Sequence, residues 1–184
     1  MPLDGNPTDS STKPAAPTTE RTTGMGGHHS ARAMKDEWLT PRWITDLLGP
    51  FDLDPCSPIE RPWDTAVKHY TILDDGLKQP WHGHVWLNPP YGRETGRWMD
   101  RLAAHPDGGM ALIFARTETD MFFEHVWGKA NALLFLRGRL HFHHANGTRA
   151  RANAGAPSVL VAYGTRAICD LMLSGIDGQF LRLK

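Results

Sequence analysis

The hydrophobic positions of this chain form short continuous runs, separated by amphipathic or proline-rich stretches. A continuous apolar run of four to eight residues predicts a strand buried on both faces, as in a parallel sheet. Other stretches carry apolar residues at helical spacing. The alternation of the two predicts an α/β fold. The predicted strands are residues 85–87, 110–115, 132–136 and 159–163, and the predicted helices are residues 93–104, 122–127 and 168–173.

The stretch before residue 85 predicts the beginning of the sheet. Residues 51–56 alternate apolar and acidic positions and predict a first strand, with Asp54 at its carboxyl end and Pro55 after it. Upstream, Thr40 followed by Pro41 is typical of a helix start, because it places a hydroxyl at the cap and a proline in the first turn.

The segment between these predicted strands, residues 57–83, is too short for a complete strand–helix–strand–helix series. The sequence predicts one short helix at residues 60–67, a weak strand at residues 69–73 and then a loop. Asp75 and the glycine that follows it are a strong turn signal in this loop.

The amino-terminal stretch, residues 1–33, is rich in Pro, Ser, Thr and Gly and has almost no large apolar residue. Such a segment cannot bury enough surface to order itself, which predicts a disordered leader. Residues 34–184 are then expected to form a single domain. Since this leaves no room for a separate target-recognition domain, we expect modest sequence specificity on any polymeric substrate.

Charge is unevenly distributed although the formal net charge of the 184 residues is zero. Residues 35–75 contain nine acidic and four basic residues, whereas residues 76–184 contain thirteen basic and eight acidic ones, so the two segments carry net charges of −5 and +5. This pattern would suit a cofactor with a positive centre beside a polyanionic substrate. Ordinary variation of surface charge explains it as well.

The two cysteines, Cys56 and Cys169, are not part of a CxxC motif, and the histidines lack companions at metal-ligand spacing, so we expect no metal site. No apolar run approaches membrane length, and the amino terminus lacks a basic region followed by a hydrophobic core. The sequence therefore predicts an intracellular, cytoplasmic protein without a membrane segment.

The most informative stretch is Asn88-Pro89-Pro90-Tyr91, which ends a predicted buried strand. Proline stops the ladder and stiffens the backbone, and ligands of open α/β sheets bind at carboxyl ends of strands. A side-chain carbonyl on Asn88 and the carbonyl of Pro89 could accept the two hydrogens of an exocyclic amine, while Tyr91 could stack on a flipped base. The alternative is an ordinary proline turn.

Basic residues are concentrated between residues 137 and 151, where four arginines and three histidines surround Phe142 without any carboxylate. Arginines can contact phosphate or guanine, and an aromatic ring can stack on bases. A solvated basic hairpin gives the same pattern. The candidate DNA-contacting residues, including one arginine in the helix at 93–104 and one after the strand at 110–115, are Arg93, Arg116, Arg137, Arg139, Arg149 and Arg151.

Five landmarks in residues 36–164 resemble, in their order and spacing, the phage-type DNA N6-adenine methyltransferases, the Dam-like family of phages and prophages. These landmarks are Trp-x-Thr-Pro at 38–41, Asp-x-Asp-Pro-Cys at 52–56, Asp-Gly-Leu with a following Trp at 75–81, Asn-Pro-Pro-Tyr at 88–91, and Arg-Thr-x-Thr at 116–119 with Gly-Arg-Leu at 138–140.

This resemblance implies a Rossmann-like class I methyltransferase sheet, S-adenosylmethionine as cofactor and N6 of adenine in DNA as acceptor. It also implies a phage or prophage protein in a bacterial host, acting in DNA methylation or restriction–modification. The residues it assigns to catalysis are Asn88, Pro89, Pro90 and Tyr91, and those it assigns to the cofactor are Trp38, Thr40, Pro41, Asp54, Pro55 and Asp75.

One departure from the wider methyltransferase pattern is that no GxGxxG turn follows the first strand; Cys56-Ser57-Pro58 stands there. How the backbone approaches the cofactor is therefore open. Two alternatives also remain: a methyltransferase for another planar nitrogen (cytosine N4, an RNA base or a protein glutamine), and a non-catalytic module that binds the cofactor or DNA. The oligomeric state is not predicted.

Overall fold

A seven-stranded mixed sheet forms the centre of the computed structural model, which describes Met1 and residues 38–184. Apart from Met1, the leader predicted for residues 1–33 lies outside the described residues and stays a prediction. The strands are β1 (Trp38–Leu39), β2 (Leu53–Asp54), β3 (Lys68–His69), β4 (Val85–Leu87), β5 (Gly109–Phe114), β6 (Ala132–Leu136), β7 (His143–His144), β8 (Ser158–Tyr163) and β9 (Gly178–Arg182). The helices are α1 (Arg42–Leu48), α2 (Thr95–Ala103), α3 (Asp120–Phe122), which continues as a π-helical turn (Phe123–Trp127), and α4 (Thr165–Leu173).

The order of strands in the large sheet is β3-β2-β4-β5-β8-β6-β9, while β1 and β7 pair as a separate two-stranded ribbon. The first four strands pair in parallel, as expected for an α/β fold. β8 then runs antiparallel to both β5 and β6, and β9 runs antiparallel to β6. The prediction of a mixed α/β fold is confirmed, although half of the pairings in this sheet are antiparallel.

The chain changes direction across the sheet after β3. From β2 it moves outward to β3, and it then returns to place β4 on the opposite side of β2. β2 and β4 therefore flank a topological switch point, and the crevice outside the carboxyl ends of such strands is where open α/β sheets bind ligands.

Alternate residues of the central strands enter two hydrophobic clusters, one on each face of the sheet. On one face Trp86 and Leu112 pack with residues of α1 and α4. On the other, Leu87 and Ile113 pack with Met99 of α2 and the segment after β5. The continuous apolar runs are therefore strands buried on both faces, as predicted.

The predicted helix at residues 60–67 is wrong. That segment is irregular, and the imidazole Nε2 of His69 accepts the main-chain N–H groups of Thr65 (3.2 Å) and Ala66 (3.3 Å). Pro62 also interrupts the segment, because proline has no N–H to donate to a helix. The weak strand predicted at residues 69–73 is wrong for residues 70–73, which are not in a strand; β3 is only two residues long and ends at His69.

Within residues 38–184, no helix combines the length and apolarity needed to span a bilayer. The same residues contain no group of three or more His, Cys, Asp or Glu side chains arranged to hold a metal ion.

Candidate active site

The carboxyl ends of β2 and β4 bring Asp54 and Asn88 to the same edge of the sheet, on either side of the switch point. Between them is a cavity of about 10 Å³, which is room for about one water molecule. The structure thus brings together residues that lie far apart in sequence. The cavity is lined by Trp38, Leu39, Thr40, Asp54, Cys56, Pro58, Thr65, Trp86 and Asn88.

Asp54 is a buried carboxylate, only 3% exposed. It accepts hydrogen bonds from the hydroxyl of Thr65 and from the main-chain N–H of Cys56, the latter at 3.1 Å. Burial raises the pKa of Asp54 to about 6, against the lowering effect of these two hydrogen bonds. Within the described part of the chain no Lys, Arg or His lies within 4.0 Å of the carboxylate. A buried acid with a perturbed pKa in a crevice is a candidate functional group.

The Asn88 side chain is fixed by a hydrogen bond of 3.1 Å from Nδ2 to the main-chain oxygen of Trp38. Because a carbonyl oxygen can only accept, the amide nitrogen must face Trp38, and the orientation of the amide follows. Oδ1 is then buried, and it has no hydrogen-bond partner among the described residues. A buried acceptor without a partner is rare and requires an explanation.

Two further polar atoms on the cavity wall are buried without a partner in residues 38–184: Thr40 Oγ1 and Trp86 Nε1. Thr40 is 2% exposed. Its hydroxyl does not cap α1, whose N-cap is Pro41 and has no side-chain hydrogen bond. The sequence prediction that Thr40 caps this helix is therefore wrong, and the hydroxyl is available to a ligand.

Tyr91 is more enclosed than the sequence suggested. Its ring stacks on Phe114 with a centroid distance of 4.1 Å and an interplanar angle of 7°, and it meets Phe142 edge-on at 6.3 Å. Burial raises the pKa of the Tyr91 hydroxyl. One face of the ring is thus already covered by an aromatic side chain, so a base would stack on the other face or displace Phe114.

Asp75 does not line the cavity. Its carboxylate is half-exposed and pairs with Lys78 at 2.7 Å, and its backbone is left-handed, with a φ of 54°. Pro55, by contrast, is adjacent to Asp54, and its carbonyl lies directly against Gly76, where a Cβ atom would be only 1.9 Å from the oxygen. A cofactor role for Asp75 stays a prediction.

Trp81, the last residue of this motif, packs with two residues of α2 in a cluster that we call the tryptophan cluster: Trp81, Trp98 and Arg101. Trp81 stacks on Trp98 and donates from Nε1 to the carbonyl of Gly76 at 2.9 Å. The guanidinium of Arg101 lies 4.8 Å from the centroid of the Trp81 ring and donates to the carbonyls of Leu77 and Gln79. These contacts anchor the loop between β3 and β4.

The predicted DNA-contacting arginines differ in their environments. Arg137 pairs with Asp177 at 3.5 Å, and Arg139 donates to the carbonyl of Ala154 at 3.3 Å. All six arginines are exposed. No carboxylate within residues 38–184 forms a salt bridge with four of them: Arg93, Arg116, Arg149 and Arg151.

The positions of these arginines follow from the topology. Arg93, Arg116 and Arg137 come after β4, β5 and β6, which run in the same direction and therefore end at the edge that carries Asn88. Arg149 and Arg151 follow β7, which pairs with β1 next to the cavity. The exposed cations thus share one edge with the Asn-Pro-Pro-Tyr loop.

The chain is similar to known proteins. The family model described as DNA N-6-adenine-methyltransferase (Dam) matches residues 27–172. The chain belongs to this family. A relative named DNA N-6-adenine-methyltransferase, from Escherichia phage T1, is 37% identical over 73 residues, which cover 36% of this chain and 30% of the relative's own length. No solved structure matches the chain.

Several residues that line this cavity or contact Tyr91 were not identified from the sequence, among them Cys56, Thr65, Trp86 and Phe114. Cys56 and Thr65 reach the cavity from irregular segments, where no periodicity indicates which side chain points inward. Phe114 is the last residue of an apolar strand and resembles any other core residue in the sequence. The only available signal was the position of Cys56 directly after the Asp-Pro pair.

Proposed function

We propose that this Dam-family protein transfers the methyl group of S-adenosylmethionine to N6 of adenine in DNA. The observation that carries the proposal is Oδ1 of Asn88, which is buried without a partner among residues 38–184, at the end of β4 and across the switch point from Asp54. The DNA N-6-adenine-methyltransferase relative is matched over less than a third of its length, so the activity is inferred from the site and from family membership together.

A Rossmann-like class I methyltransferase sheet is part of this proposal. Four parallel strands with a switch point between β2 and β4 supply the crevice. The reversed strand β8, inserted between β5 and β6, keeps the carboxyl ends of β2, β4, β5 and β6 at one edge. The residues proposed to bind the cofactor and those proposed to bind the substrate can therefore lie on a single surface.

The chemistry of the cavity suits S-adenosylmethionine. That cofactor carries positive charge at an ammonium group and a sulfonium centre and supplies an activated methyl group. The carboxylate of Asp54 has no salt-bridge partner among the described residues. Burial raises its pKa more than the charge of Arg61 and the two hydrogen bonds lower it, so a positive ligand would offset the remaining cost of ionising it there. The hydroxyl of Thr40 can accept or donate one hydrogen bond.

Binding requires the site to open. A cavity of about 10 Å³ holds about one water molecule, far less than a nucleoside cofactor. The segments that carry Trp38, Pro58 and Thr65 form its walls, and Pro58 and Thr65 belong to the irregular stretch between β2 and β3. We expect this stretch to move when the cofactor binds.

Asn88 and Pro89 would orient the amine. The lone pair of an exocyclic adenine amine is delocalised into the ring, which makes it a poor nucleophile. If Asn88 Oδ1 and the Pro89 carbonyl each accept one of its hydrogens, the nitrogen becomes tetrahedral and its lone pair points towards the methyl group. Catalysis then depends on positioning and on fixed dipoles, without prior deprotonation.

Tyr91 and the exposed arginines would hold the substrate. Stacking on an aromatic ring contributes roughly 1–3 kcal/mol per base, and Tyr91 follows the amine-orienting residues directly. Arg93, Arg116 and Arg149 are available for phosphates at the same edge of the sheet. The modest sequence specificity expected from the sequence remains part of the proposal.

The test is to incubate the protein with S-adenosylmethionine carrying a labelled methyl group and with DNA of defined sequences, and then to identify the labelled nucleoside by mass. We expect N6-methyladenine. Labelled N4-methylcytosine, or label in RNA or protein only, would support a different planar nitrogen. No cofactor binding by calorimetry at millimolar concentration would support a non-catalytic module.

A further inference from the structure

We infer that Cys56 is a positioning residue for methyl transfer, because it links the ends of β2 and β4 by hydrogen bonds to both Asp54 and Asn88. Its main-chain N–H donates to Asp54 Oδ1 at 3.1 Å, and its Sγ–H donates to the main-chain oxygen of Asn88 at 3.2 Å. This inference rests on the proposed function. It concerns a residue that hydrogen-bonds to both candidate functional residues across the switch point.

The Asn88-Pro89-Pro90 loop needs side-chain donors from elsewhere. Two of its three residues are prolines, which have no N–H, so the loop cannot continue the hydrogen-bond ladder of β4. Two side-chain donors reach it instead. Thr95 Oγ1 donates to the carbonyl of Pro90 at 2.7 Å, and Cys56 donates to the carbonyl of Asn88.

The Asn88 carbonyl is one peptide bond away from the Pro89 carbonyl that is proposed to accept an amine hydrogen. A change in ψ of Asn88 would turn its carbonyl and change the direction in which Pro89 leaves the strand. The Trp38 carbonyl fixes only the amide end of that side chain. Cys56 restrains the Asn88 carbonyl, and with it the main chain that leads from the Asn88 side chain to the Pro89 carbonyl.

The surroundings of Cys56 favour a donor over a reactive thiolate. Burial, together with the nearby charge of Asp54, raises the pKa of the Cys56 thiol well above its usual range. The thiol therefore stays protonated at neutral pH and keeps its hydrogen for the Asn88 carbonyl. The wall beside it also carries the buried, unpartnered Thr40 hydroxyl, which marks this cavity as a place for a ligand.

The test compares two substitutions at Cys56 in the full-length protein. Cys56→Ala removes the donor, and Cys56→Ser restores one with almost the same shape. Loss of a neutral hydrogen bond corresponds to about a fivefold fall in rate. We expect kcat to fall about fivefold in Cys56→Ala and to recover in Cys56→Ser, while KM for S-adenosylmethionine and the melting temperature change little.

The control is the second cysteine, Cys169, which is exposed on α4. Cys169→Ala should leave kcat unchanged, and it leaves Cys56 as the only thiol in the chain. The infrared S–H stretching band of the Cys169→Ala variant, which comes from Cys56, should lie at the lower frequency typical of a hydrogen-bonded thiol. This measurement does not depend on activity.

The role of Cys56 and the proposed function are overturned by different results. Wild-type kcat in Cys56→Ala, equal impairment of Cys56→Ala and Cys56→Ser, or an S–H band at the frequency of a free thiol would each overturn the role of Cys56 and leave the proposed function intact. Failure of the wild-type protein to methylate adenine would overturn the proposed function, and the inference with it.

Discussion

Two aromatic-rich regions of this protein both contain motif residues of the family, yet they differ in whether their polar side-chain atoms have hydrogen-bond partners. In the tryptophan cluster, the Trp81 indole donates to Gly76, and the Arg101 guanidinium donates to two carbonyls. In the cavity at the switch point, the polar atoms of Thr40, Trp86 and Asn88 are buried without partners among the described residues.

The difference indicates which motif stabilises the fold and which awaits a ligand. A buried polar group without a partner costs about 1–3 kcal/mol, so three of them on one cavity wall are a substantial penalty. Such atoms occur elsewhere in the described residues as well, but these three lie on one wall of a cavity at the switch point, where a single polar ligand could supply their partners. The tryptophan cluster has no such need, and we assign it a structural role.

The largest effect is expected from Asn88→Ala. Removing a preorganised group that contacts the reacting atoms costs about 10²–10³-fold in kcat, and we expect a loss of this size in methyl transfer to DNA. Cofactor affinity should be unchanged, because Asn88 is assigned to the amine. Single-turnover transfer and calorimetry, measured on the same preparation, check both statements. Unchanged turnover would refute the assignment.

Asp54→Asn should weaken cofactor binding about 10- to 100-fold, since a hydrogen bond or ion pair to a charged group contributes about 1.5–3 kcal/mol. In the wild type the affinity should also fall as the pH drops through about 6, the pKa to which burial raises Asp54, because the protonated acid has no charge for a cationic ligand. The variant should lose this pH dependence. Calorimetric titrations from pH 5 to pH 8 test it.

The same substitution should stabilise the ligand-free protein at neutral pH. The pKa of Asp54 is raised on folding, so its contribution to the free energy of unfolding is present below about pH 4 and is lost as the pH rises through about 6. Asn carries no charge at any pH, and the gain above pH 6 should be on the order of 3 kcal/mol. Denaturant unfolding at pH 4 and pH 7 measures it; equal stability of the two proteins at pH 7 would contradict the role of burial.

A smaller effect, a loss of stability, is expected from a substitution in the tryptophan cluster. Arg101→Ala removes two charged hydrogen bonds and the contact with Trp81, and should lower the free energy of unfolding by about 2 kcal/mol. Transfer per folded molecule should be unchanged. A matched substitution is Arg97→Ala on the same helix, where the guanidinium is exposed and pairs only with Glu94. If Arg101→Ala abolished cofactor binding in folded protein, the comparison between the two regions would fail.

The smallest effect concerns the exposed arginines. Arg149→Gln should weaken DNA binding almost uniformly across sequences and reduce the slope of log affinity against log salt by about 1. Arg137→Gln is the paired control, because Arg137 already contacts Asp177. Its effect should be smaller, as measured by fluorescence anisotropy at several salt concentrations. Equal slopes for both variants would remove the distinction between free and paired arginines.

The sequence predicted the parts of this fold that depend on strong hydrophobic patterns. The strands around Trp86, Leu112 and Leu134 are buried on both faces, and their apolar runs showed it. The Asn88 loop was placed correctly at a strand end because proline cannot continue the ladder. Apolar runs and prolines are local features of the sequence, so the buried strands and their ends could be predicted from them.

The sequence did not predict what depends on long-range contacts. β9 was missed because it is an edge strand with mostly exposed side chains, so it carries no burial pattern. The irregular segment around Thr65 is held by the ring of His69, and β1 exists only because it pairs with β7, about 100 residues later. The cofactor assignment of Asp75 failed to gain support for a similar reason: its neighbour Gly76 packs against Pro55, while its own carboxylate faces Lys78.

The most direct test of the central claim is a crystal structure of the protein with S-adenosylhomocysteine and an adenine-containing DNA oligonucleotide. We predict a flipped adenine whose N6 lies about 3 Å, a hydrogen-bond distance, from Asn88 Oδ1, with the cofactor's ammonium group facing Asp54. An adenine bound elsewhere, or an Asn88 Oδ1 still without a partner in that complex, would contradict the account.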